Sequence, residues 1–314
     1  MNNFWQKLKN KNKPIYALAP MADITDSAFR QICLRYGTDI LYSEMASATA
    51  LSFAPKKTLK MLKRTRREKP YVVQLFGCNP EHFEKAVKII REKISPEGID
   101  INFGCPAPKV IKQGAGAVLA QDLELSKKII KTVISNTNLP VSIKLRAKSG
   151  EIDCLRFLEY MKDLDIKAIM IHGRTLNQGF SGAIDTGVIK KSRDFFNGVI
   201  LANGGLKTAL DAPKILQETQ VDGIGVARSC LGHPWIFKEL KEEKIIYKNP
   251  KEIFKIALCH ARLAKKAKGK QGIIEMRKHL CWYVQGLPSA KKLRNELVHV
   301  ENLIDIKKIF NKFY

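Results

Sequence analysis

Gly98-Ile99-Asp100-Ile101-Asn102-Phe103, followed at once by Gly104-Cys105-Pro106, is the stretch on which the reading of the fold turns. An apolar, β-prone run stops at an amide, a glycine, a cysteine and a helix-breaking proline, which reads as a strand delivering a thiol to a loop. The glycine-rich Gln113-Gly114-Ala115-Gly116-Ala117 beyond it lets that loop approach a ligand closely. A lone cysteine is more often a small buried apolar residue. Cys105 differs in its company, because other strand ends in the chain also finish in polar or glycine residues.

Outward from this strand, short β-branched segments recur: Ile15–Pro20, Asp39–Ser43, Tyr71–Phe76, Pro140–Arg146, Lys167–His172, Gly198–Asn203 and Asp222–Arg228. Between them Pro80–Lys93, Leu123–Asn136, Ile152–Leu164 and Thr208–Gln217 carry apolar residues at helical spacing. Eight strands alternating with helices predict an α/β fold, a (β/α)8 TIM barrel. A doubly wound sheet competes, but no G-x-G-x-x-G follows the first strand. After Leu240 only helices are expected: Lys251–Lys270, Ile273–Gly286 and Ala290–Asn311. The expected division is a catalytic barrel over residues 1–240 and a small all-helical domain over 241–314.

Composition narrows the partners. Fifty-five Lys+Arg against 30 Asp+Glu give a net charge of +25, which points to a polyanion; a lysine-rich codon bias accounts for part of such an excess. Residues 241–314 hold 18 Lys+Arg and 7 Asp+Glu, so the last quarter is the more positive per residue. Lys255, Arg262, Lys265, Lys266, Lys268 and Lys270, with Arg277 and Lys278 beyond them, give a density of positive charge beside the candidate site that shifts the reading from a solvated helix face toward RNA, while Trp282, next to Tyr283, is more often core than a base-stacking platform. The seven cysteines are scattered, without a C-x-x-C pair, which argues against a metal site or disulfide framework. No apolar run approaches a membrane span, so the expected setting is cytoplasmic, with no membrane partner.

In a (β/α)8 barrel the chemistry sits at the carboxyl ends of the strands. Those ends supply Pro20-Met21-Ala22, Gln74, Asn102 with Cys105, Lys144 with Arg146, His172 with Arg174, Asn203-Gly204-Gly205, and Ala227-Arg228. Each has an ordinary reading as a core polar group, a solvated cation or a turn. Together they converge on a flavin site: glycine-rich backbone after the last two strands beside Arg228 suits a phosphate. Lys144, Gln74 and His172 supply donors for the edge of an anionic reduced isoalloxazine.

The order Ala19-Pro20-Met21-Ala22, Gln74-Leu75-Phe76-Gly77, Asn102-Phe103-Gly104-Cys105-Pro106, Ser142-Ile143-Lys144-Leu145-Arg146, Ile171-His172-Gly173-Arg174-Thr175 and Gly232-His233-Pro234-Trp235 resembles the tRNA-dihydrouridine synthases over residues 15 to 295. Arg277-Lys278-His279 with Trp282-Tyr283 resembles the DusB-like branch. Gly205 stands where that family usually has aspartate, and Ala227 where it usually has glycine; backbone donors survive both changes. The resemblance implies an FMN enzyme that reduces the C5=C6 bond of uridine in tRNA, with NADPH, or alternatively NADH, as electron donor. It further implies hydride delivery from flavin N5 and a proton from Cys105 acting as a general acid. Asn102 and Arg174 would orient the uracil. A rival resemblance is to dihydroorotate dehydrogenases, whose small substrate has no use for such positive charge. A barrel that binds RNA without catalysis leaves Cys105, Lys144 and His172 unexplained.

Overall fold

Strands rich in apolar residues and buried along almost their whole length need cover on both faces, and eight of them closed on themselves inside a ring of helices obtain it. The computed structural model describes residues 3–313. Strands β1 (Ile15–Leu18), β2 (Ile40–Ser47), β3 (Tyr71–Phe76), β4 (Gly98–Phe103) and β5 (Val141–Arg146) are followed by a short antiparallel pair, β6 (Lys148–Ser149) and β7 (Ile152–Asp153). Then come β8 (Ala168–His172), β9 (Val199–Asn203) and β10 (Gly223–Val226). All but the short pair run parallel in one closed barrel, with β10 returning to β1. The alternating pattern thus folds as a (β/α)8 barrel.

One strand exceeds its expected length. β2 continues to Ser47, four residues past the expected end at Ser43, through a register shift between Tyr42 and Met45. Ser43 and Glu44 look like a strand end but form a buried bulge instead. Ser43 Oγ accepts from Gln74 N at 3.0 Å, and Glu44 Oε2 accepts from Asp23 N at 2.5 Å.

The N-terminal end of the barrel is sealed. The helix Phe4–Lys9, N-capped by Asn3, buries Trp5 among Ile15, Tyr42, Val72, Met170 and Leu201. Only the opposite end, where the strands finish, is left for a site.

Beyond Pro250 the chain is helical, as expected: Pro250–Lys268, Lys270–Tyr283, Ala290–Leu297 and Leu303–Phe313. The expected single helix Ala290–Asn311 is two, because Asn302 Oδ1 accepts from the N–H groups of Ile304 and Asp305 and so starts a new helix. These helices share a core of their own that takes in Ala28 and Trp235 from the barrel side. Lys268, read from the sequence as a phosphate-gripping residue, has another task. It bridges Asp26 at 2.8 Å and Glu275 at 2.5 Å, pinning the helical segment to the turn after β1. Lys265 and Lys266 remain exposed.

Candidate active site

Parallel register brings the strand ends into one ring: Gln74 pairs with Asp100, Asn102 with Lys144, Arg146 with His172, and His172 with Asn203. Asn102 organises the cysteine loop. Its Oδ1 accepts from Gly104 N (3.0 Å) and Cys105 N (2.9 Å), which fixes the amide so that Nδ2 donates to Gln74 Oε1 at 2.8 Å. Gln74 Nε2 then donates to Asp100 Oδ2 (2.8 Å), and Ser142 Oγ donates to Asp100 Oδ1 (2.6 Å). Backbone, amide, amide and carboxylate thus form one chain of fixed polarity. Burial pushes Asp100 up to about 6, against those two hydrogen bonds.

The loop is held from below as well. Gly116 lies at φ +66°, and a Cβ there would stand 2.7 Å from Cys105 O. Ala117 N donates to that same oxygen at 3.0 Å. The glycine run beyond Cys105 therefore serves close backbone packing.

Lys144 and His172 behave as groups in a positive, poorly solvated mouth. Burial pushes Lys144 down to about 8, with repulsion from Arg146 adding to the effect and Asp100 opposing it. Burial, then Lys144, Arg146, Arg174 and Arg228, push His172 down to about 2. His172 is therefore neutral, and its Nε2 lies 3.3 Å from Arg174 Nη1 as an acceptor.

Several expected residues are already committed to the protein. Arg174 donates to Gly182 O through Nε and Nη2, at 2.9 and 2.7 Å. Asn203 Nδ2 donates to Gly225 O at 2.7 Å, tying β9 to β10. Met21 exchanges backbone bonds with Thr25 Oγ1 in the turn after β1, flanked by Pro20 and Ala22. Gly204 (φ +93°) abuts the His172 ring, where a Cβ would come within 2.8 Å. Among the described residues the N–H groups of Gly204 and Gly205 have no protein acceptor. Ala227 leads directly into the turn Arg228–Cys230.

Sequence reasoning named Arg146 only as a strand end and left out Phe180. Arg146 is 3% exposed and donates to Gly104 O, Thr175 O and Gly179 O, bracing the cysteine loop against the loop after β8. That second loop carries Phe180, which lies 4.8 Å from the Arg228 guanidinium and 5.7 Å from that of Arg146. The stretch Asn177-Gln178-Gly179-Phe180-Ser181-Gly182 holds no basic residue to signal this; only the fold brings Arg146 and Arg228 to the ring.

Four cations around one neutral imidazole, with the Asp100 carboxylate taken up by Gln74 and Ser142, fit an anionic ligand. The free N–H groups at Gly204 and Gly205 suit a phosphate. The residues present therefore fit an anionic ligand that carries a phosphate.

A closed parallel barrel whose mouth gathers a thiol, a half-buried lysine and this charge has the layout of a (β/α)8 enzyme. The family model for dihydrouridine synthase matches residues 17–312. A probable tRNA-dihydrouridine synthase of Aquifex aeolicus is 32% identical over 303 residues, covering 95% of this chain and 96% of the relative. A tRNA-dihydrouridine synthase B of Pasteurella multocida is 33% identical, covering 94% and 92%. The old yellow enzyme homologue of Zymomonas mobilis shares the barrel fold, with a TM-score of 0.54 at 13% identity over 77% of this chain and 92% of that one. The chain belongs to the dihydrouridine synthase family, and is with it a flavin-dependent oxidoreductase.

Among the described residues no helix is long and apolar enough to cross a membrane, and no cluster of His, Cys, Asp or Glu is arranged to hold a metal ion. All seven cysteines are free thiols.

Proposed function

We propose that this chain is a tRNA-dihydrouridine synthase that binds FMN and uses NADPH to reduce the C5=C6 bond of uridine. The observation that carries the reading is the Cys105 turn, held by Asn102 and braced by Arg146 beside Lys144 and His172. FMN held by these residues would, once reduced, be the source of hydride for C6 of the uracil.

The residues do the rest. Lys144, a cation at neutral pH, steadies negative charge on the flavin edge, with Gln74 as a further donor. Neutral His172, held by Arg174, packs against the backbone of Gly204. Arg228 and the N–H groups of Gly204 and Gly205 receive the phosphate. Cys105 Sγ gives its proton to C5, from the face of the uracil opposite the hydride. A base stacked in folded RNA cannot reach a barrel floor, so the uridine must be drawn out, at a cost of roughly a few kcal/mol in stacking. Phosphate contacts from the helical segment after residue 240 offset that cost. Dihydrouridine should appear in tRNA from a strain lacking this gene when purified protein, FMN and NADPH are added. A colourless protein that leaves such tRNA unchanged would sink the reading.

The depressed Lys144 gives a second expectation. A lysine with a pKa of about 8 is charged below that value and neutral above it, so attraction for an anionic ligand is present at pH 7 and lost as pH rises through 8. FMN affinity of the apoprotein, followed by flavin fluorescence, should fall above pH 8. Lys144→Ala should bind FMN more weakly at pH 7 and lack that fall. A wild-type pH profile in the variant would return Lys144 to an ordinary strand-end lysine.

A further inference from the structure

The densest positive charge in the chain lies on the barrel and not on the helical segment. Between Pro55 and Lys69 eight of fifteen residues are Lys or Arg and one, Glu68, is acidic. Glu68 is spent internally on Arg30, and Arg64 and Lys69 turn to Glu97. Lys56, Lys57, Lys60, Lys63, Arg66 and Arg67 are exposed and have no acidic partner among the described residues.

This arrangement works against local stability. The helix Pro55–Leu62 carries Lys56 and Lys57 in its first turn and no acid there, where the helix dipole disfavours cations. Lys60 sits three and four residues beyond them, a repulsive spacing. On other surface helices the charges alternate, as in Glu84 with Lys88, Lys214 with Glu218 and Lys238 with Glu242. The segment is nevertheless held stiffly. Arg30 Nη2 donates to Lys63 O at 2.9 Å, and Arg64 donates to Glu68 O, Ser95 O and Glu97. A rigid ridge of uncompensated charge, unfavourable where it stands, fits a ligand with regular negative charge.

Its position agrees with such a ligand. The ridge follows the mouth end of β2 through the short helix Ala48–Phe53. At that junction Phe53 is 70% exposed and meets the His82 ring edge-on at 5.1 Å. At its other end the ridge is tied through Glu68 to Ser27 and Arg30, on the helix Ser27–Arg35 against which Pro250–Lys268 packs. The ridge thus flanks the mouth on the β2–β3 side, beside the helical segment.

We infer that Lys56–Arg67 is a second RNA-backbone contact, taking phosphates of the substrate tRNA away from the target base. The inference rests on the tRNA reading above. Its test is the salt dependence of binding to an unmodified tRNA transcript, measured for wild type, Lys56→Gln/Lys57→Gln/Lys60→Gln, and Lys190→Gln/Lys191→Gln/Lys214→Gln. The last removes the same charge from the far side of the barrel. The ridge variant should lose about tenfold or more in affinity and become shallower by up to about 0.9 log-log unit per lost contact. Its flavin content should be unchanged and its melting temperature equal or slightly higher, because glutamine matches lysine in helix propensity. The far-side variant should keep the wild-type slope. A wild type that does not bind tRNA overturns both this inference and the function. A wild type that binds, with a ridge variant of wild-type slope or two variants equally weakened, overturns the ridge and leaves the function standing.

Discussion

Cys105→Ala should keep its flavin and be reduced by NADPH at the wild-type rate, yet lose uridine reduction by about 10²- to 10⁴-fold, the range over which a positioned proton donor acts. The structure separates these two effects. The contacts that hold the loop come from the backbone: Cys105 N to Asn102 Oδ1, Ala117 N to Cys105 O, and Arg146 Nε to Gly104 O. Alanine preserves all three, so only the thiol is removed. Anaerobic stopped-flow reduction followed by dihydrouridine quantification in tRNA distinguishes the half-reactions. Equal loss in both would mean that Cys105 supports the flavin and does not donate the proton.

The barrel was legible because its strands are short, β-branched and bounded by turn residues, and because periodicity survives without knowledge of contacts. Tyr71–Phe76 and Gly98–Phe103 match their expected bounds. β2 was cut short because Ser43 and Glu44 carry the polar signature of a loop, while in the barrel each finds a buried partner that no local pattern announces. The break at Val298–Asn302 was missed for a related reason: Leu297, Val300 and Ile304 keep helical spacing across it, and the Asn302 cap interrupts a pattern that remains apolar.

The site follows the same division. Strand-end chemistry could be read from residue types, because the fold class says where strand ends meet. What each side chain spends its hydrogen bonds on could not be read. Asn102 and Arg174 were expected to face the uracil, yet Asn102 Oδ1 is committed to the cysteine turn and Arg174 to Gly182 O. Asn102 Nδ2 is likewise shared between Gln74 Oε1 and Met45 Sδ. Asp100 was passed over as part of an apolar strand, although a carboxylate between two isoleucines is itself a signal that something must satisfy it.

The strongest effect on stability should come from a buried ion pair outside the candidate catalytic residues. Arg30 and Glu68 are both fully buried and pair at 2.7 Å. Arg30 also donates to Thr25 O and Lys63 O and lies 4.5 Å from the Tyr71 ring, while Glu68 accepts from Ser27 Oγ and Thr65 N. The pair ties the helix Ser27–Arg35 to the loop before β3 and fixes the base of the basic ridge. Glu68→Ala leaves the guanidinium buried without its counter-charge, which costs about 3–5 kcal/mol. For a chain of this size the melting temperature should fall by roughly 5–10 °C. Arg30→Met/Glu68→Leu removes both charges and should recover much of that loss, since the penalty lies in the orphaned charge and not in the absent attraction. Thermal melts of the three proteins decide it. A double variant no more stable than Glu68→Ala would mean that the hydrogen bonds to Thr25 O, Lys63 O and Ser27, not charge balance, hold this corner together.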